Sequence, residues 1–300
     1  MDTTQPLPLR KRAHKRRRRR KHHLGPLIIL FFVPIVLVSA VVIAALVLWS
    51  TTPVTSHPIL PGSSEPQIHN ALALLTDPNV AEDSNAVRIY LTFDDGPSAT
   101  STLAILDILA QYRVPATFFV VGYLAEQLPD IVQLTDQSGH VIANHSYSHD
   151  YEAVYASAEA FMQDLEYNEQ VLSGILGHTP PRILRFPAGS AASQLDNDPA
   201  LREAIKAMLA QGGWRYFDWN ASMGDSISGW EPQLNELGDA LVASIDEQVA
   251  SGVTDIVVLA HDTDAKPWTP LDLPGVIEHC RQRGYVFKPL TLTSPAIEYR

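Results

Sequence analysis

Apolar residues follow two different spacings along this chain, with a stretch of no spacing between them. From Leu27 to Trp49 they form one run, interrupted only by Pro34 and Ser39 and free of charge over 23 residues. At about 1.5 Å of rise per residue the run covers roughly 34 Å, enough to cross a hydrocarbon core of about 30 Å. A cleaved leader has a shorter apolar core of about 7–15 residues, so residues 27–49 read as a transmembrane signal anchor. Residues 50–85 are rich in Ser, Thr, Pro and Asn without a sustained period, the texture of an exposed linker.

From Val87 onward, short apolar runs alternate with amphipathic segments. The runs VRIYLTF (87–93), ATFFVVG (116–122), HVIANHS (140–146), RILRFPAG (182–189), WRYFDWN (214–220), DIVVLAH (255–261) and YVFKPL (285–290) predict seven strands. Between them, Leu103, Leu106, Leu109 and Tyr112 mark a helical face over 102–112. Further helices are expected at 129–139 stopping at Gly139, 157–176 ending before Gly177, 200–210, 235–250 and 273–283. Strands that are apolar throughout, alternating with helices, predict a parallel sheet covered by helices. The expectation is an α/β fold, a distorted (β/α) barrel of about seven parallel strands, preceded by one N-terminal transmembrane helix.

Charge sharpens the division. The formal net charge is -11, but ten of the 22 Lys and Arg lie in the first 23 residues with a single acid, Asp2. Residues 24–300 therefore hold 12 bases against 32 acids, a charge of -20. The basic flank beside the apolar run places the N-terminus in the cytoplasm and exports residues 50–300. His14, His22 and His23 belong to that flank. The division is thus a basic cytoplasmic head (1–26), a transmembrane anchor (27–49), a linker (50–85) and an exported domain (86–300), in a single-pass protein of the cell membrane. So acidic a body disfavours nucleic acid as a partner. One cysteine, Cys280, excludes a disulfide scaffold and reads as a small buried apolar residue.

Polar residues gather at the ends of the expected strands. Asp94 and Asp95 follow the first, His145 and His149 close the third, Arg185 lies near the end of the fourth, Asp218 near the end of the fifth, and His261 ends the sixth. In a (β/α) barrel the C-terminal strand ends converge on the active site. Singly, each has a plainer reading. Asp94-Asp95-Gly96 is compatible with a turn bearing solvated acids, His261 with a strand-end histidine, and Arg185 with a surface ion pair.

In chain order, Thr92-Phe93-Asp94-Asp95-Gly96-Pro97, His145-Ser146-Tyr147-Ser148-His149, Arg185-Phe186-Pro187 and Leu259-Ala260-His261 resemble the successive motifs of the polysaccharide deacetylases, the NodB-type carbohydrate esterase family 4. The resemblance covers roughly Val87 to Leu290. It implies a hydrolase of carbohydrate metabolism and the cell wall that acts on a linear amide, removing N-acetyl groups from an extracytoplasmic amino-sugar polymer such as peptidoglycan or a chitin-like glycan. It also implies roles. Asp95, His145 and His149 would bind a divalent metal, zinc before Co2+, Mn2+ or Ni2+. Asp94 would be the base for a metal-activated water, with Arg185 holding its charged form, and His261 the acid for the leaving amine. The backbone near Ala188 would stabilise the oxyanion, and Pro187, Ala188 and Trp219 would contact substrate.

One motif departs from the family. Its Asp-x-x-x-Trp pattern, aligned on Trp219-Asn220, falls on Ser222 and Ser226, which leaves Asp218 or Asp225 to orient His261, with Asp225 favoured, or both as ordinary loop residues. RFPAGS also lacks the Tyr that often follows this Pro in the family. The rival readings are an O-deacetylase, a hydrolase of a non-sugar amide on the same barrel, or an inactive metal-loaded glycan-binding module. The last would have no use for Asp94 beside Asp95.

Overall fold

The structure is a computed structural model that describes residues 86–226 and 232–299. The head, anchor and linker expected over 1–85 lie outside the described residues. Among the described residues no helix is long and apolar enough to cross a membrane.

Strand β1 (Arg88–Gly96) is the spine of the sheet. It is followed by α1 (Ser101–Tyr112), β2 (Thr117–Val120), α2 (Gly122–Gln127), α3 (Pro129–Gln137) and β3 (Val141–Asn144). Then come α4 (Tyr151–Val154), α5 (Ala158–Leu176), β4 (Ile183–Leu184), α6 (Ser193–Asp196), α7 (Pro199–Gln211), β5 (Arg215–Tyr216) and β6 (Ala221–Ser222). The chain ends with α8 (Glu236–Ala250), β7 (Asp255–His261), α9 (Thr269–Gln282) and β8 (Val286–Phe287). Seven strands run in the order β5-β4-β3-β2-β1-β7-β6, and β8 pairs with the start of β1; every pairing is parallel.

The barrel is incompletely closed. The single fifth strand expected at 214–220 is instead β5 and β6, which do not pair with each other. Between them the chain crosses from one edge to the other: Phe217 N–H donates to Leu184 O at 3.0 Å, and Asn220 N–H to Val257 O at 3.1 Å. The crossing relies on polar side chains. Asn220 Oδ1 accepts from Val257 N–H at 2.8 Å and its Nδ2 donates to Asp255 O at 2.9 Å, replacing ladder bonds a continuous strand would make.

Alternation along the strands separates two cores. Ile89, Leu91, Phe93, Phe118, Ile142, Ile256, Val258 and Ala260 pack with residues of the covering helices. Their neighbours Tyr90, Phe119, Ala143, Ile183, Phe217 and Val257 form a second cluster on the other side of the sheet, inside the curl. The helical face of α1 differs from the expected one. Thr102, Ile105, Leu106 and Leu109 are buried, whereas Leu103 is 36% exposed. Helix α9 starts at Thr269, ahead of the expected Leu273, because Pro270 occupies its first turn, where a missing N–H costs nothing.

Register then aligns the strand ends. Asp94 pairs with His261, Gly96 with Val120, Val120 with Asn144, Asn144 with Leu184 and Leu184 with Tyr216. The residues at or just beyond these positions, Asp94, His145, Arg185 and His261, share the inward parity and the C-terminal rim.

Candidate active site

The loops at that rim adopt costly backbone conformations. Six non-glycine residues among those described have positive φ, and four of them, Asp95 (72°), Ser146 (67°), His149 (51°) and Ala188 (64°), belong to the rim. Each costs on the order of 1–3 kcal/mol unless its surroundings enforce it. Around the histidines, α5 supplies the enforcement. Asn168 Nδ2 donates to Val120 O, Asn144 Oδ1 and Ser146 O at 2.8–3.0 Å, and Asp164 accepts the N–H groups of Tyr147 and Ser148. His145 and His149 therefore project from a braced loop, not a helix.

Asp95 Oδ1 lies 3.3 Å from His145 Nε2 and 3.2 Å from His149 Nε2. One ligand atom from each residue falls within 4.8 Å of the others, so the three could hold a metal ion. Ligands at about 2.0–2.2 Å around a tetrahedral zinc are themselves roughly 3.4 Å apart, close to these separations. His145 Nδ1 is 3.0 Å from Arg185 O, a contact that turns the ring so that Nε2 faces Asp95. Burial opposes ionisation of Asp95, but hydrogen bonds from His145 and His149 outweigh it and hold the carboxyl well below its usual range.

Arg185 is fully buried, and each of its guanidinium nitrogens is bonded. Nη1 donates to Asp94 Oδ1 at 2.8 Å and to Thr92 Oγ1 at 2.7 Å, Nε to Phe217 O at 2.9 Å and Nη2 to Asp218 O at 3.0 Å. The guanidinium carbon also lies 4.3 Å from the centre of the Phe119 ring. Asp94 Oδ2, the oxygen that Arg185 does not bind, sits 3.9 Å from His145 Nε2.

The acid beside His261 is Asp225. Its Oδ1 is 2.8 Å from His261 Nδ1, and its Oδ2 accepts from His261 N–H and Thr269 Oγ1, both at 2.8 Å. Burial lowers the imidazole pKa, but the Asp225 bond and charge, helped by Asp94 and Asp95, raise it to about 9. Asp218 is elsewhere. It accepts from Ser190 N–H (2.8 Å), Ser190 Oγ (2.5 Å) and Tyr299 N–H (2.7 Å), tying the 188–190 turn to the C-terminal segment.

Of these groups Asp94, Asp95, His145, His149 and His261 line one cleft of about 380 Å³, with Ala188, Gly189 and Trp219 on a wall. Pro187 does not line it; the residue is buried and its carbonyl accepts Tyr155 Oη at 2.7 Å. Ser226 does line it, on the segment where the family motif is altered, whereas Ser222 Oγ is used locally by Gly224 N–H at 3.2 Å. Tyr151 and Lys266 also line the cleft. Sequence reasoning missed both, and Asn168 and Asp164 besides. Tyr151 follows His149 by two positions, and its ring lies 5.2 Å from that imidazole. Lys266 lies five residues past His261, and only those proximities could have flagged the pair.

A family model described as polysaccharide deacetylase matches residues 81–209. The chain is 30% identical over 202 residues to a peptidoglycan-N-acetylglucosamine deacetylase of Bacillus cereus, a match covering 66% of this chain and 67% of that protein. It is 30% identical over 220 residues to a chitooligosaccharide deacetylase of Sinorhizobium fredii, covering 69% and 92% respectively. The chain belongs to the polysaccharide deacetylase family. The amide-hydrolysing carbohydrate esterases among these relatives bear out the expected enzyme class. Among solved structures, the catalytic domain of a peptidoglycan N-acetylglucosamine deacetylase from Eubacterium rectale superposes with a TM-score of 0.64 at 32% identity, covering 73% of this chain and 94% of that one. A family 4 carbohydrate esterase from Streptococcus mutans gives 0.60 at 28% identity, covering 75% and 91%. The curled, open barrel is thus the polysaccharide deacetylase fold.

Proposed function

We propose that this polysaccharide deacetylase is a metal-dependent N-deacetylase of an extracytoplasmic amino-sugar polymer, peptidoglycan or a chitin-like glycan, tethered to the cell membrane through residues 27–49. The observation that carries the reading is the convergence in one cleft of a three-residue ligand set, an Asp paired with a buried Arg, and a His paired with an Asp. The basic flank and the 23-residue apolar run support the tether and the exported orientation.

Asp95, His145 and His149 would hold the divalent cation, zinc before cobalt, manganese or nickel. When bound, that cation supplies Lewis-acid polarisation of the acetyl carbonyl and a lowered pKa for water. Asp94 takes the proton of the attacking water on Oδ2, while Arg185 occupies Oδ1 and fixes the carboxylate plane. Ala188 N–H, which donates no hydrogen bond among the described residues, stabilises the oxygen on which charge develops. His261 delivers its Nε2 proton to the departing amine nitrogen as the C–N bond breaks, giving acetate and a free amino sugar. An alkoxide leaves far more easily than an unprotonated amine, so a His held protonated to about pH 9 favours the amide over an O-acetyl ester.

The purified full-length chain should release acetate from peptidoglycan and from N-acetylglucosamine oligomers, lose that activity to a chelator and regain it with Zn2+. Asp94→Asn should retain metal and lose turnover. Absence of acetate from every such glycan would overturn the reading. For the tether, protease added to intact cells should remove the domain and spare the head.

A further inference from the structure

Besides its acids and imidazoles, the cleft holds one ammonium. Lys266, on the loop between β7 and α9, lines it beside Leu259 and His261 and is half-buried. Among the described residues its side chain forms no ion pair, hydrogen bond or ring contact. Among the described residues it shares that with the exposed Arg113 at the end of α1, which lies outside the cleft. Five arginines stand in ion pairs. Three other cations lie over aromatic rings.

Three described carboxylates of the cleft region have other partners. Asp225 is bound by His261 and Thr269, Asp264 by the N–H groups of Thr100 and Ser101, and Asp94 by Arg185. With acids outnumbering bases 32 to 12 over residues 24–300, a cation without a side-chain partner among the described residues, at the wall of the reaction cleft, is placed to meet the molecule that enters the cleft.

We infer that Lys266 is a specificity-determining residue that binds a carboxylate carried by the glycan next to the acetamido group that reacts. The inference rests on the deacetylase reading and deepens it: the favoured substrate is an acidic N-acetylated glycan, not a neutral one. The -20 charge of the body does not oppose this, because exposed charges are largely screened beyond about 8 Å at physiological ionic strength. Inside the cleft the nearby ammonium decides, and a charge-assisted hydrogen bond is roughly twice as strong as a neutral one. The carboxylate has two chemical sources in a cell-wall glycan, a lactyl ether on the sugar or a peptide joined to it.

The test compares kcat/KM of the full-length enzyme on three substrates of equal sugar length. They are a neutral N-acetylglucosamine tetramer, a tetrasaccharide alternating N-acetylglucosamine with free-lactyl N-acetylmuramic acid, and the same tetrasaccharide bearing peptides. For Lys266→Gln, the ratio of acidic to neutral kcat/KM should fall about tenfold, mainly through KM. Lys266→Arg should keep most of the ratio and Lys266→Glu should lower it further. A fall seen on the free-lactyl substrate assigns the lactyl carboxylate, and a fall confined to the peptide-bearing one assigns the peptide. An unchanged ratio in all variants, or an equal loss on neutral and acidic substrates, overturns the inference while leaving the deacetylase reading intact. Wild-type enzyme that releases no acetate from any of the three overturns both.

Discussion

Asp225 grips His261 at two points, with Oδ1 2.8 Å from the Nδ1 of the ring and Oδ2 2.8 Å from the backbone nitrogen. The first contact sets ring orientation and charge; the second fixes the strand end that carries the ring. A histidine whose pKa is raised from 6.5 to about 9 remains a proton donor up to about pH 9 and is lost as an acid above it. Asp225→Asn keeps an acceptor for the ring N–H and removes the charge. The alkaline limb of the pH–rate profile should therefore move down by about one unit or more, with kcat at pH 8 lowered at least about twofold. An alkaline limb that stays in place would show that Asp225 does not tune the ring.

Arg185 and Asp94 form the other buried pair, and here the expected effect is on stability as well as rate. Arg185→Met leaves Asp94 Oδ1, Thr92 Oγ1 and two carbonyls without their donor. Breaking a buried pair by removing one partner costs about 3–5 kcal/mol. For a domain of this size that corresponds to a Tm lowered by on the order of 10 °C. Adding Asp94→Asn removes the stranded charge, so the double variant should melt above Arg185→Met. A double variant that melts no higher would assign the loss to packing around Phe119, not to the ion pair.

How far the site is legible in the sequence depends on how local each signal is. β7 is legible end to end because Asp255 to His261 is an apolar run with its own boundaries. β1 runs past the expected Phe93 to Gly96, because Asp94 and Gly96 keep their pairings with His261 and Val120 although their side chains suggest a turn. Asp94, Asp95, His145 and His149 are visible as residue types in tight motifs. The choice between Asp218 and Asp225 is not, since both flank the same crossing segment and only the three-dimensional path takes one to His261 and the other to Ser190. Asn168 and Asp164 are hidden in a helix whose pattern speaks only of its apolar face.

Asp218 gives a third prediction. Its carboxylate accepts three hydrogen bonds, two from Ser190 and one from Tyr299, while its backbone N–H donates to Ile297 O at 2.8 Å. An amide in its place presents a donor where an acceptor is needed. Asp218→Asn should loosen the turn that holds Ala188 at its left-handed φ and misplace the N–H proposed to meet the developing oxyanion. The expected result is a kcat reduced about tenfold or more with KM changed less, as for an interaction made in the transition state. Equal losses through KM alone would place the turn in ground-state sugar binding instead.

Asp262 provides a prediction about stability that is independent of turnover. The residue is buried, with Oδ2 accepting Thr102 Oγ1 at 2.7 Å and Oδ1 lacking a partner among the described residues. The carboxyl lies so close over Gly96 that a Cβ there would collide with it, which requires glycine at that position. Burial first, and then the charges of Asp95 and Asp94, raise its pKa from 3.8 to about 7 despite the Thr102 bond. Because the folded value exceeds the unfolded one, the native state binds the extra proton between about pH 4 and pH 7. This site therefore contributes less stability as pH rises through that window. Asp262→Asn is uncharged at every pH and carries no such penalty. Between pH 5 and pH 8 the variant should gain on the wild type by on the order of 2 kcal/mol in urea unfolding, the two stability curves converging at low pH. Curves that stay parallel from pH 5 to 8 would mean that Asp262 is already ionised in the folded protein at pH 5.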